Sequence, residues 1–304
     1  MNSVRKGPSG RRTGRMILRA INSAADTVML LIFLLLLAFG IYAVWDARIV
    51  QQEAAGEQFR QYRPAAEDAG TFEEFRQINP EVFGWLTVYG TNIDYPLVQA
   101  EDNEKYLNTS ADGEYSLSGS LFLDFRNRND LSDFNSIIYG HHMAGNVMFG
   151  DIGSFKDREY FESRMYGELY CDGQYYGLEF FAFLEVDAYN DAVYHPAVTG
   201  EAQQRDYLNM LREQALYYRE IGVDYEDRVV LLSTCTSDIT NGRHILAGRL
   251  TDTVKEDPFQ EEAARGEGLL AEISLTSLLP VICAVGVTVF LALVIIFLNR
   301  RRGK

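Results

Sequence analysis

Cysteine is scarce in this 304-residue chain, with three in all, and three thiols cannot build a disulfide framework, so any folded part depends on a hydrophobic core. Internal repeats, low-complexity tracts and phosphate-cradling glycine loops are all absent, which removes solenoids, disordered linkers and nucleotide binders of the glycine-loop kind. Basic residues are outnumbered in the middle of the chain. Arg5, Lys6, Arg11, Arg12, Arg15 and Arg19 precede the first acidic residue, Asp26, and Arg300, Arg301, Arg302 and Lys304 close the chain. Residues 46–276 are left with 18 bases against 42 acids, a net charge of -24 concealed within a total of -15. Such a body repels phosphates, so nucleic acid is excluded as a partner. A hydrophobic content of 47% leaves room for one or two domains with a proper core.

Two long runs carry no charge. Thr27–Trp45 (TVMLLIFLLLLAFGIYAVW) is 19 residues long and as a helix extends roughly 28 Å, enough to cross a bilayer core. Its apolar stretch exceeds that of a cleaved signal peptide, and no small-x-small cleavage site follows. Ile273–Asn299 is the second run and ends directly in Arg300–Arg302. With both basic tails retained in the cytoplasm, 1–26 and 300–304 lie inside, 27–45 and 273–299 span the cell membrane, and the working part is external. That part divides into a helical membrane-proximal segment at 46–82, where Pro64 and Gly70 interrupt a Gln/Glu/Ala-rich stretch, a domain at 83–255 and a linker at 256–272.

After Gly84 the pattern becomes one of short apolar, aromatic and β-branched runs: WLTV, YPLV, SLFLDF, SIIYG, ELYC, YYGLEFFAFLEV, VVLLSTC and HILAGRL. About eight strands separated by Gly, Asn, Asp and Pro predict a mainly β barrel or sandwich. One long helix is predicted among them, in EAQQRDYLNMLREQALYYREIG, where Leu208, Leu211, Ala215 and Tyr218 form one apolar face.

The chemistry concentrates at strand ends, where a side chain is held rigidly yet left open to solvent. VVLLSTC carries Cys235 out of an apolar run into polar residues. An ordinary thiol is only a few per cent thiolate at pH 7, so a nucleophilic cysteine needs a base or a positive charge beside it. His141, His142, His195, His244 and Arg243 are the candidates. His141 follows a strand and a glycine in IIYGHHM, and Arg243 opens the strand eight residues after Cys235. Cys283 falls in the second apolar run, leaving Cys171 either to bridge Cys235 or to sit as a small buried residue.

Together these residues resemble the sortase family of membrane-anchored cysteine transpeptidases, and within it class B. The resemblance runs from about Phe83 to Thr251 and rests on Leu231–Cys235, YGHHM, NGRHILAGRL, GWLTVYGTNIDYPLVQAEDNEKYL and GSLFLDFRN. Leu231 stands where the family commonly has threonine, His142 where class B commonly has asparagine, and the C-terminal span is more familiar among pilin-polymerising relatives.

The resemblance implies an eight-stranded barrel in which Cys235, His141 and Arg243 meet in a groove. It implies a Cys235 thiolate that attacks a threonine carbonyl in the C-terminal sorting signal of a secreted protein, with His141 as general acid and base and Arg243 positioning the peptide and the oxyanion. Ser233 and Thr234 are expected to help bind substrate. The acceptor is an amine of a peptidoglycan precursor, or in the alternative a pilin lysine. No metal or other cofactor is expected; the acidic Glu101, Asp102 and Glu104 read as solvated carboxylates rather than a calcium site. A non-catalytic two-span binding ectodomain is the rival outside enzymology.

Overall fold

The computed structural model describes residues 9–64, 70–235 and 241–260, together with Val289. The second apolar run and Cys283 lie outside the described residues. Among those described, one helix is long and apolar enough to cross a membrane. This is α1 (Ser9–Ala54), which continues without a break well past Trp45. No glycine or proline interrupts Asp46–Ala54, so nothing stops the helix until Gly56, whose φ of 68° suits a residue without a Cβ. A 3-10 turn at Glu57–Tyr62 and the helix α2 (Gly70–Ile78) complete the membrane-proximal segment.

Nine strands follow: β1 (Val82–Val88), β2 (Asp94–Val98), β3 (Leu121–Leu123), β4 (Asn135–Gly140), β5 (Tyr166–Cys171), β6 (Gln174–Asp187), β7 (Ala215–Tyr218), β8 (Arg228–Cys235) and β9 (Gly242–Thr251). Eight of them close a ring in the order β5-β1-β2-β3-β4-β8-β9-β6, with β6 returning to β5. The expected eight-stranded barrel is therefore present. Two of its pairings, β2 with β3 and β4 with β8, are parallel and the rest antiparallel.

Period-2 alternation sorts the side chains. Leu86, Leu97, Leu121, Ile138, Phe180, Phe183, Leu232 and Leu246 fill the barrel interior. Their strand neighbours Ile137, Leu231, Ile245 and Ala247 face outward and are covered by Val193 and by Tyr207 and Leu211 of α4 (Glu201–Gln214). On the opposite wall Phe72 and Phe75 of α2 cover Trp85, Phe122 and Tyr170. Short helices at Gly150–Lys156 and α3 (Arg158–Ser163) complete the domain.

One expectation is corrected. The helix from Glu201 ends at Gln214, and Ala215–Tyr218, predicted as its last apolar turn, is the strand β7. β6 is 14 residues long and only its first half pairs with β5, so Ala182–Leu184 would present an open edge. The aromatic, β-favouring Tyr217 and Tyr218 take that edge, and pairing overrides the helical period.

Candidate active site

The strand register brings the three expected catalytic residues to one end of the barrel. β8 lies between β4 and β9. Thr234 pairs with Gly140 across the parallel side, so Cys235 and His141 are each the next residue along adjacent strands. On the antiparallel side Cys235 pairs directly with Arg243. Directly opposed residues sit about 5 Å apart and neighbouring strands about 4.8 Å apart, so three chemically distinct residues share one short arc of the rim.

His141 is half-buried, and its Nε2 lies 2.8 Å from the backbone oxygen of Leu107. A carbonyl only accepts, so Nε2–H donates, which fixes the tautomer and leaves Nδ1 as the nitrogen able to take up or give a proton. Gly140 allows the close packing beneath: a Cβ there would meet buried Leu121 and Phe149. The Phe149 N–H donates to the His141 oxygen at 3.0 Å and closes the loop that follows β4. His142 goes elsewhere. It bridges to Met148, and its ring lies against Gly153 beside His244. The alternation expected of a strand end separates the two histidines.

Arg243 is half-buried and donates from Nη1 to the Gly242 oxygen at 3.0 Å; among the described residues it has no carboxylate partner. His244, next along, turns inward and meets Glu185 at 3.2 Å. Thr234 is buried on the interior side of β8, with its Oγ1 unpartnered among the described residues. Ser233 faces the other way, and its Oγ lies 2.8 Å from the Tyr194 hydroxyl. His195 is exposed on the loop after β6, where its oxygen accepts from Asn135 Nδ2 at 2.7 Å. Cys171 is a free thiol buried at the end of β5, donating to the Asn129 oxygen at 3.1 Å. Burial pushes its pKa up to about 12. In the acidic loop, the Asp102 carboxylate accepts from the N–H groups of Glu104 and Lys105, an ordinary turn cap.

Sequence reasoning missed the groups around this rim. Leu107 supplies a backbone oxygen that no side-chain pattern reveals. Tyr139 shares strand parity with His141, and stacks on Tyr194 with centroids 6.2 Å apart. Its hydroxyl donates to the buried Asp124 carboxylate at 3.0 Å. Burial raises Asp124, but the side-chain and backbone N–H groups of Arg126 and the amide of Asn103 outweigh it, leaving its pKa below the usual carboxylate value. Burial, then the Asp124 charge, push the Tyr139 phenol well above its ordinary value.

A closed eight-stranded barrel with thiol, imidazole and guanidinium residues at three neighbouring strand ends defines a cysteine transpeptidase of the sortase type. No family model matches the chain. Sortase B of Listeria monocytogenes is 34% identical over 181 residues, covering 58% of this chain and 72% of that protein. Among solved structures, sortase B from the type II pilus of Streptococcus pneumoniae is 48% identical, with a TM-score of 0.53, covering 60% of this chain and 99% of that one. A class B sortase of Streptococcus pyogenes involved in pilus biogenesis is 40% identical, with a TM-score of 0.55, covering 59% and 97%. The chain belongs to the class B sortase family, and is a cysteine transpeptidase.

Proposed function

We propose that Cys235 is the nucleophile, His141 the general acid and base, and Arg243 the cation that steadies the thiolate and the oxyanion. The observation that carries this reading is the register, with Cys235 opposite Arg243 and one residue beyond the Thr234–Gly140 pair. The Cys235 thiolate adds to the carbonyl carbon of a threonine in a sorting signal. The resulting oxyanion collapses, the C–N bond breaks, and the departing amine takes a proton from the imidazolium of His141. The product is a thioester. An acceptor amine then adds to the same carbon, its proton passes back to His141, and the thiolate leaves as the new amide forms. A guanidinium suits the oxyanion because it stays charged throughout and presents several N–H donors. Ser233 contributes to the groove wall through Tyr194, and Thr234 is assigned to substrate binding as the residue beside the nucleophile.

The barrel works outside the membrane, with the basic N-terminal tail inside; the apolar run Thr27–Trp45, preceded by Arg11, Arg12, Arg15 and Arg19 on the same helix, supports this orientation. Two acceptors fit the chemistry. A wall-precursor amine is one. A pilin lysine is favoured by the identity to two sortases of pilus systems, at 48% and 40%. Mass spectrometry of covalent products in intact cells, with and without Cys235, separates them by the acceptor found at the threonine carbonyl.

In the full-length enzyme, Cys235→Ala is expected to abolish cleavage of every peptide in a sorting-signal panel, while Cys171→Ala retains it. His141→Ala abolishes turnover and His142→Ala spares it. Retained turnover in Cys235→Ala or His141→Ala refutes the assignment.

A further inference from the structure

The Asp124 carboxylate is fully buried and sits one residue beyond β3, away from the three strand ends. Burying a charge is costly unless it is paired and hydrogen-bonded, so its partners matter. Arg126 donates to it twice, from Nε to Oδ1 and from Nη2 to Oδ2, both at 2.8 Å. The Arg126 backbone N–H adds 3.0 Å and Asn103 Nδ2 3.1 Å. Four donors from its own turn and the neighbouring loop would satisfy the carboxylate. The fifth, the Tyr139 hydroxyl at 3.0 Å, connects it to β4 two residues before His141.

From Tyr139 the linkage continues. Its ring lies between Phe122, at 5.4 Å, and Tyr194, at 6.2 Å. Arg126 Nη2 reaches the Tyr194 backbone oxygen at 3.5 Å, so the guanidinium that holds Asp124 also touches the loop after β6. The Tyr194 hydroxyl meets Ser233 Oγ at 2.8 Å, two residues before Cys235 on β8. One ion pair therefore joins the end of β3, the strand carrying His141, the loop at Tyr194 and the strand carrying Cys235.

We propose that Asp124, clamped by Arg126, is a positioning residue that acts through Tyr139 and Tyr194 to hold the groove wall beside Cys235 at the spacing a sorting-signal peptide requires. The proposal rests on the groove reading given above. Without the carboxylate, the Tyr139 ring loses its fixed hydroxyl and Arg126 loses the anchor from which it reaches the Tyr194 oxygen, so the wall at Tyr194 is held less firmly. The reacting groups stay on their strands, so the loss falls on peptide binding rather than on the chemistry of the thiol.

The test uses the full chain in detergent and whichever peptide of a sorting-signal panel the wild type cleaves fastest. Asp124→Asn and Tyr139→Phe are each expected to raise KM at least tenfold with kcat little changed. The double variant is expected to be no worse than either single, because both remove one linkage. Alkylation of Cys235 by iodoacetamide, too small to need the wall, keeps its wild-type rate in all three. Tyr139→Phe preserves the ring and the core, so it remains informative where Asp124→Asn folds poorly. The proposal is overturned if KM is unchanged in Tyr139→Phe, if kcat falls while KM holds, or if alkylation slows in step with peptide cleavage. Full activity in Cys235→Ala instead indicts the underlying site, and is distinguishable because it does not involve Asp124.

Discussion

Gly140 supports His141 from below, and replacing it with alanine tests whether that support matters to catalysis. Built on the present backbone, the new Cβ would sit 2.7 Å from Phe149 Cδ2 and closer still to Leu121 Cδ2. Carbon atoms rest at about 3.5–4.0 Å, so both fully buried neighbours must retreat by about 1 Å. Overpacking of this kind costs about 1–3 kcal/mol. Phe149 cannot retreat alone, because its N–H is bonded to the His141 oxygen and the loop moves with it. The 2.8 Å bond from His141 to Leu107 then opens. Misplacement of a catalytic group by 1 Å costs about 10²-fold in rate. Denaturant titration should therefore show a loss of about 1–3 kcal/mol, and kcat, measured where the variant stays folded, should fall by about 10²-fold. Gly177→Ala is the control. Its Cβ would strike the Thr253 oxygen and meet Thr251 Oγ1 at 2.7 Å, at the end of β6 remote from Cys235. It should lose comparable stability and keep wild-type kcat. Equal loss of kcat in the two variants, or a Gly140→Ala enzyme with normal kcat, would show that the support under His141 is irrelevant to turnover.

Two further outcomes follow from buried groups away from the rim. With its pKa raised to about 12, Cys171 is a neutral thiol, so peptide mapping after iodoacetamide treatment of the native chain at a pH of about 8 should find it unlabelled, and labelled once the chain is denatured. Rapid labelling of native Cys171 would contradict its burial. Asp151 and Asp124 should respond to pH with opposite sign. Burial raises Asp151 against the opposing hydrogen bond from the Asn92 N–H, so its stabilising contribution is complete below the unfolded pKa and is lost as pH rises through the folded value. Asp124 is depressed, so its contribution is present above the unfolded value and lost as pH falls through the folded one. Melting curves between pH of about 2 and 7 should show Asp151→Asn gaining on the wild type as pH rises above the ordinary carboxylate value, and Asp124→Asn losing ground as pH rises through the range below it. Parallel curves for the two variants would refute the signs.

Most of the barrel was legible because its strands are short apolar and β-branched runs bounded by turn residues; the face each side chain takes, as with Leu231 outward and Leu232 inward, emerges only from the packing. β7 was not, since Ala215 and Tyr218 fit a helical face as well as they fit a strand, and only the unpaired half of β6 decides between them. The length of α1 beyond Trp45 was missed for a related reason. The polar residues from Asp46 suggested a new segment, whereas a helix ends at a breaker and not at a change of polarity. The placement of Cys235, His141 and Arg243 at neighbouring strand ends was legible because each sits at the boundary of an apolar run. The set formed by the Asp124–Arg126 turn, Tyr139 and Tyr194 was not, because it comes from three separate stretches that become neighbours only when the ring closes.

The unbroken helix α1 has a mechanical consequence. Its last turn is seated on the barrel, where the Tyr95 hydroxyl donates to the Ala54 oxygen at 2.9 Å and accepts from the Met148 N–H at 2.9 Å, in the loop after His141. With Thr27–Trp45 in a bilayer, the nine residues from Asp46 to Ala54 add about 13.5 Å of stiff rod. The enzyme is then less a tethered ball than a lamp on a post, its height changing only as far as the helix tilts. Substrates arriving at another height gain nothing from leash length, and must be brought to the level of the rim.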